Sequence, residues 1–302
     1  MKKTNYPKIA LSGGLGNQLF QWSAAHYLFE SEGFCVDLTH YYLKTKRKFE
    51  LGPLIERCHH NHNHELKLRR ITMMRLFEWG AYHGAPVKLL EHLGYFQESN
   101  HIKQLSDVIT QHKKRRSPLY LNGIFQNGDF VDQTFPAVEK ELANVVNDSF
   151  IDIRDKYKFP KRYAVIHVRR GDYPISSFPS GAIGQLDDKF YLELATKTDL
   201  PIVLLTENAL DVAELVSRLK PRLLLTQNEA NPWQSLAIMA RSEFLIGSNS
   251  TLSWWGAFLA SKIGNESWLP REWSQWGNYQ EIQRASETIL FSPSIWRENE
   301  LR

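Results

Sequence analysis

Two adjacent arginines are the residues of this 302-residue chain best suited to carry chemistry. Arg169 and Arg170 follow the run Val165-Ile166-His167-Val168 and precede Gly171-Asp172-Tyr173. The run has the apolar character of a buried strand, so the guanidiniums stand at its carboxyl end, where a glycine turns the chain. Two fixed cations beside a core repel each other and are expensive to hold unless an anion joins them. Phosphate oxygens match a guanidinium bidentately, which makes a diphosphate the natural partner. The competing reading is a surface pair neutralised by carboxylates such as Asp172. At the end of a strand in an α/β sheet the anion reading is preferred, because ligands of such sheets collect there.

A second segment reads Ile246-Gly247-Ser248-Asn249-Ser250-Thr251-Leu252-Ser253-Trp254-Trp255-Gly256-Ala257. A short apolar strand ends at Gly247, and hydroxyl residues lead into a helix. Free N–H groups and the positive end of a helix dipole make such a start an anion site. Ser250 or Thr251 as an ordinary N-cap uses the same donors, so both readings stand. Trp254 and Trp255 read as packing residues. A third segment, Gly13-Gly14-Leu15-Gly16-Asn17-Gln18, resembles a dinucleotide fingerprint but has Leu19 where the last glycine belongs. What survives is a tight turn that brings backbone, Asn17 and Gln18 near a ligand; the alternative is a plain βα turn with a capping asparagine.

Other features are louder than their chemistry. Cys58-His59-His60-Asn61-His62-Asn63-His64 lacks any ordered ligand spacing, and no metal is assigned to it. Lys113-Lys114-Arg115-Arg116 reads as a solvated run. No Asp-x-Asp occurs, which argues against holding a diphosphate through a divalent ion. The formal charge of +4 is mild and singles out no nucleic acid. A hydrophobic share of 42% and a charged share of 23% are those of an ordinary globular protein. The two cysteines suit a reduced interior, and no signal peptide or spanning segment is visible. A cytoplasmic protein is expected, with peripheral contact to an acidic membrane surface compatible with the charge.

Elements must place these residues. Segment 8–12 reads as a strand, 17–32 as a helix with Leu19, Phe20, Ala24, Tyr27 and Leu28 on one stripe, and 34–38 as a second strand. Parts of 65–90 read as helix, 119–121 as strand, and 148–162 as a linker-like zone. Strands at 163–168, 202–206, 222–226 and 244–247 then alternate with helices at 188–197, 210–219, 232–241 and 251–262. That alternation implies a parallel sheet covered on both faces. The length accommodates two α/β halves of about 150 residues each, with residues 1–155 as an N-terminal domain and 156–302 as a C-terminal one.

Taken in order, these segments resemble the bacterial α-1,2-fucosyltransferase family. Gly13-Gly14-Leu15-Gly16-Asn17-Gln18-Leu19-Phe20-Gln21 is similar to its first signature. His167-Val168-Arg169-Arg170-Gly171-Asp172-Tyr173 is similar to its basic signature, shared with α-1,6- and protein O-fucosyltransferases. Asn249-Ser250-Thr251-Leu252-Ser253-Trp254-Trp255-Gly256-Ala257 is similar to its third, and Leu121-Asn122-Gly123-Ile124-Phe125-Gln126 to its glycine-aromatic-glutamine segment. The resemblance runs nearly the full length of the chain. It implies an α/β fold of two Rossmann-like domains facing a cleft, the GT-B-like arrangement. It also implies inverting transfer from GDP-fucose to a galactose-containing glycan, with no cofactor and no metal.

On that resemblance Arg169 and Arg170 hold the diphosphate and His167 lies beside the nucleoside. Asn249, Ser250, Thr251 and Ser253 line the phosphate, and Glu207 lies near the base. Gly14, Gly16, Asn17 and Gln18 meet the sugar or acceptor. Arg169, Asp172 and Asn17 form the catalytic set, with Asp172 either a base or an orienting group. Two departures bear on the nucleotide. A Ser-Asp-Asp-like segment of the family reads Thr206-Glu207-Asn208 here, and Ser235 beside Gln234 stands where a carboxylate would accept guanine's N–H donors. A transferase of the same fold using another nucleotide sugar or acceptor hydroxyl, and a non-catalytic nucleotide- or glycan-binding protein, are the alternatives.

Overall fold

A computed structural model describes residues 6–29, 34–42, 47–61, 67–69, 89, 95–97, 119–123, 125–126, 128–170, 185–270 and 288–290. The chain divides into two compact units, one taking in Met1–Leu142 and the other Ala143–Ser292. Each is built on a largely parallel sheet.

In the first unit β1 (Lys8–Ala10), β2 (Cys35–Asp37), β3 (Lys67–Arg69), β4 (Tyr95–Gln97) and β5 (Tyr120–Asn122) run in the order β3-β2-β1-β5-β4. All four neighbouring pairs are parallel. β1 feeds α1 (Leu15–Phe29). The expected apolar stripe understates this helix. Leu15, Leu19, Phe20, Trp22, Ala24, Ala25 and Phe29 are buried together with Gln18, Gln21 and Ser23, whereas Tyr27 is 41% exposed. A helix buried nearly all round shows little periodicity, because both of its faces meet protein.

Of residues 65–90, read as helical in parts, 67–69 form strand β3 and Leu89 is helical, and the others lie outside the described residues. The linker-like zone at 148–162 is corrected. Most of it is the end of a 30-residue helix, α4 (Gly128–Tyr157), which follows α2 (Thr39–Tyr42) and α3 (Gly52–Asn61) in the chain and carries Pro136 inside it. Phe150 and Ile153 on its last turns are buried, and Phe150 stacks at 6.5 Å on Tyr163. Tertiary burial of that face holds helical a stretch whose charge suggested a linker.

The second unit follows the expected alternation closely. β6 (Ala164–Val168), β7 (Ile202–Thr206), β8 (Leu223–Leu225), β9 (Phe244–Ile246), β10 (Glu266–Pro270) and β11 (Thr288–Leu290) are ordered β11-β10-β9-β6-β7-β8. Only the pairing of β10 with β11 is antiparallel among them. The helices are α5 (Asp188–Ala195), α6 (Ala213–Leu219, entered through a 3-10 turn at Leu210–Val212), α7 (Pro232–Ala240) and α8 (Thr251–Lys262). Their caps explain their starts. Asp187 accepts the Lys189 N–H ahead of α5, and Asn231 with Gln234 forms a capping box ahead of Pro232.

Ala164, Ile166 and Val168 pack with Phe190, Tyr191, Leu194 and Leu215 into one core cluster. Where α7 meets α8, a Cβ on Gly256 would lie 2.7 Å from the Met239 Cβ, so only glycine allows this approach. Trp254 and Trp255 are buried, and Trp254 stacks on Phe258 at 5.2 Å. No helix of the described residues is long and apolar enough to cross a membrane.

Candidate active site

The strand order of the second unit reverses between β6 and β9. From β6 the chain runs outward through β7 and β8, and β9 and β10 then lie on the other side. Ligands of open α/β sheets bind beyond the carboxyl ends of the strands at such a reversal. The two segments singled out by their chemistry end there together. Ile166 pairs with Ile246, so His167 and the arginines leave β6 alongside Gly247 and the serines that leave β9.

Both guanidiniums are partly buried and each meets its own carboxylate. Val168 pairs with Thr206, which puts the next residues side by side, and Arg169 Nη1 lies 2.9 Å from Glu207 Oε1. Each of these two side chains is 17% exposed. Arg170 pairs with the Asp188 carboxylate at the start of α5 and donates to the Asp211 carbonyl at 2.6 Å. Gln185 donates to the Arg170 carbonyl at 3.1 Å, while Arg170 Nε is buried with no acceptor among the described residues. The carboxylates opposite the arginines are thus Glu207 and Asp188. Asp172, expected as their partner and in the catalytic set, lies outside the described residues. Asp188 was legible as the helix-start acid of an Asp-Asp pair, but only the fold shows that it faces Arg170.

Glu207, expected near a nucleotide base, pairs with Arg169 in this structure. At the next strand end the Glu229 carboxylate accepts from the backbone N–H of Thr226 at 2.8 Å and from its hydroxyl. Those hydrogen bonds hold it below the usual carboxylate range. Ser235 donates to the Ala230 carbonyl at 3.5 Å, and Gln234 is occupied in its capping box.

The turn after β9 is sterically fixed. A Cβ on Gly247 would stand 2.3 Å from Leu269 Cδ2 and 2.9 Å from Ser253 Cβ, so no larger residue fits. Ser248, Asn249 and Ser250 are buried. Ser250 is the N-cap of α8 and accepts the Leu252 N–H at 3.3 Å. Thr251, the first helical residue, is partly exposed.

Ser253, expected to line the phosphate, makes its contacts inside the protein. It is fully buried, its Oγ accepts the Ser248 N–H at 3.1 Å, and it lies 2.6 Å from His167 Nδ1 and 3.2 Å from Ser248 Oγ. His167 is 6% exposed. Burial, reinforced by the neighbouring Arg169 charge, pushes its pKa down to about 3. The imidazole is therefore neutral at physiological pH.

The expected sugar-side residues lie in the first unit, at the turn between β1 and α1. Gly13 has φ +75°, a conformation that favours glycine. A Cβ there would also lie 2.5 Å from Asn17 Nδ2. Gly14 faces open space, and Gly16 is buried within α1. Gln18 is corrected from a substrate contact to a structural clamp. Its Nε2 donates to the carbonyls of Gly13 at 3.0 Å and Lys48 at 2.9 Å. Its Oε1 accepts from the N–H groups of Glu50 at 2.9 Å and Leu51 at 3.1 Å. Two donors and two acceptor positions exhaust a carboxamide, so none remains for a ligand. Gln21 does likewise, joining Ser12 to the Gly123 carbonyl at 2.8 Å.

The sequence model of glycosyl transferase family 11 matches residues 4–267. O-antigen biosynthesis glycosyltransferase WbnK of Escherichia coli is 24% identical over 91% of this chain and 97% of its own. Galactoside alpha-(1,2)-fucosyltransferase 1 of Saimiri sciureus is 28% identical over 109 residues, 33% of this chain and 30% of its own. Among solved structures, POFUT1 in complex with GDP-fucose aligns with a TM-score of 0.43 at 12% identity, covering 85% of this chain and 95% of that one. ADP-heptose lps heptosyltransferase II of E. coli aligns with a TM-score of 0.41 at 11% identity, covering 84% and 82%.

Proposed function

The chain belongs to glycosyl transferase family 11, and on that premise we propose that this glycosyltransferase moves L-fucose from GDP-fucose to O2 of a galactoside with inversion. The observation that carries the reading is the meeting of Arg169, Arg170 and the N-terminus of α8 at the strand-order reversal of one parallel sheet. Support for the sugar and acceptor comes from the name of the aligned primate enzymes, and support for a surface polysaccharide from that of the E. coli relative.

The physics of transfer follows from those groups. As the glycosidic bond to the diphosphate breaks, the sugar becomes oxocarbenium-like and negative charge grows on the leaving phosphate. Arg169, Arg170 and the N–H groups opening α8 are fixed before the reaction, so they stabilise that charge without reorganising. One such donor is worth about 2.7–4 kcal/mol, and two or three supply a large part of a glycosyl transfer's acceleration. Glu207 and Asp188 keep the guanidiniums oriented while no anion is bound. Asp172 and Asn17 are proposed to serve the acceptor hydroxyl and the sugar, and Gly14 to border them. In this reading the charge is met by guanidinium and helix dipole, with no divalent ion required.

A second reading, a different nucleotide on the same machinery, is favoured by one observation. Glu207 is held by Arg169, and neither Ser235 nor Gln234 offers a carboxylate to guanine. The test is incubation with GDP-fucose, other GDP-sugars and UDP-sugars, each with lactose and with or without EDTA, following nucleotide release. GDP release from GDP-fucose in EDTA, with an α-linked product by NMR, is expected. Turnover confined to a UDP-sugar overturns the fucosyl assignment, and loss of turnover in EDTA overturns the metal-free one.

A further inference from the structure

The buried contact between His167 and Ser253 has a direction that the hydrogen count decides. Ser253 Oγ touches three groups: the Ser248 N–H, Ser248 Oγ and His167 Nδ1. If His167 donated from Nδ1, Ser253 would have to pass its own proton to Ser248. The fully buried Ser248 hydroxyl would then hold a hydrogen with no acceptor among the described residues. A buried donor left without an acceptor loses its hydration with nothing in return, so this arrangement is disfavoured. In the opposite direction Ser248 donates to Ser253 and Ser253 donates to Nδ1, and no hydrogen is stranded. The 2.6 Å separation agrees, since hydroxyl donors make shorter bonds than N–H donors.

We propose that Ser253 is a positioning residue whose hydroxyl donates to His167 Nδ1 and fixes the ring as the Nε2–H tautomer, presenting one neutral N–H to an oxygen of the bound nucleoside diphosphate. The tautomer rests on geometry alone; the identity of the ligand oxygen rests on the reading of the preceding subsection. Two further observations fit it. No hydrogen bond reaches His167 Nε2 among the described residues, so that nitrogen is open to a ligand. Gly247 is required because Ser253 Cβ and Oγ crowd the place a side chain would take, so the glycine of this turn exists in part to admit the serine. Arg169, itself paired with Glu207, is the charged side chain that acts on the ring, and it disfavours a second ring proton. A neutral donor beside two cations reads an oxygen atom without adding to their repulsion.

The test uses the whole chain without nucleotide, labelled with 15N-histidine. Long-range proton–nitrogen correlations distinguish the tautomers, and the resonance lost in His167→Asn assigns the ring. Wild type is expected to show the Nε2–H pattern unchanged between about pH 5 and 8. Ser253→Ala is expected to mix the tautomers, whereas Ser248→Ala, which leaves the Ser253 donor in place, is expected to keep the wild-type pattern. With the donor substrate, Ser253→Ala should raise KM about three- to tenfold with kcat little changed, the effect of one misdirected hydrogen bond. An Nδ1–H pattern in wild type overturns the proposal, with no variant needed. An unchanged pattern and unchanged KM in folded Ser253→Ala overturns the role of Ser253. Turnover with a nucleotide sugar other than GDP-fucose would remove the fucosyl reading and leave the tautomer result standing.

Discussion

The turn between β1 and α1 and the turn between β9 and α8 have the same local grammar and opposite uses of polarity. In each, a short strand is followed within three residues by a glycine that its surroundings require, and a helix starts within a few residues. In each, a polar side chain of the helix's first turns folds back on the loop: Gln18 in the first, Ser253 in the second. Gln18 spends all its capacity on backbone and closes the turn. Ser253 ties its turn to a buried imidazole on the adjacent strand, next to two guanidiniums whose counter-charges are side chains rather than backbone. A carboxylate that pairs with a guanidinium can yield it to a phosphate, whereas a carboxamide satisfied by four backbone groups has nothing to exchange. The carboxylate-paired guanidiniums of the second unit can therefore exchange a counter-charge for an anion, whereas the glycine-rich turn of the first is closed by Gln18 and leaves Gly14 and Asn17 partly exposed.

That contrast breaks or sharpens under substitution. Arg169→Ala should lower kcat/KM about 100- to 1000-fold, the loss of one donor to developing charge, while the thermal midpoint stays close to wild type. Near-normal transfer by a folded variant would dissolve the distinction between the turns. Gln18→Leu should act on stability instead. It strands the N–H groups of Glu50 and Leu51 and lowers the unfolding free energy by about 2–4 kcal/mol, leaving nucleotide affinity unchanged. Denaturant titration beside a nucleotide-binding isotherm checks this. Weakened binding with intact stability would restore Gln18 as a ligand contact.

Acid should act on the second unit through His167. The folded ring's pKa, about 3, lies below its unfolded value near 6.5. The unfolded state therefore binds more protons between those values. The contribution to stability is complete above about pH 6.5 and falls by about 1.4 kcal/mol per pH unit as the pH drops toward 3. Unfolding free energies of wild type and His167→Gln, measured at several pH values, should show that slope only in wild type. The smallest effect is expected from Arg162→Ala. Its bidentate pair with Glu243 is as well formed as the Arg169 pair, at 2.8 Å, but the arginine is 71% exposed. Exposed pairs contribute little, so both midpoint and activity should match wild type. A clear loss would mean that pair geometry outweighs burial in this protein.

Much of the second unit was legible because its elements are short and carry their own punctuation. Pro232 behind Asn231, the apolar tripeptide Phe244–Ile246 before Gly247, and Thr251–Lys262 in full were readable from local pattern. The first unit was less so. Its central helix is buried on nearly all sides and so loses periodicity; the end of the helix Gly128–Tyr157, which falls in the second unit, was missed because its charge imitates a linker. At the site, residue types pointed to the arginines and the serines. They gave no means of separating Ser250, which caps the helix, from Ser253, which holds an imidazole, because a hydroxyl's role depends on which side of the helix faces the sheet.

Sequence alone determined that a strand would end in two guanidiniums, that a second would end in a glycine and a hydroxyl-rich helix start, and that an anion would suit both. Those are local facts, fixed by residue type and the short-range preferences of backbone. Only the tertiary structure decided that the two strands are neighbours at the reversal of strand order, that Glu207 and Asp188 face the arginines, and that Gln18 is spent on tying its turn to the backbone of residues 48–51. Pairings between residues 41, 86 or 32 positions apart depend on how the chain returns to itself, and no local pattern carries that information.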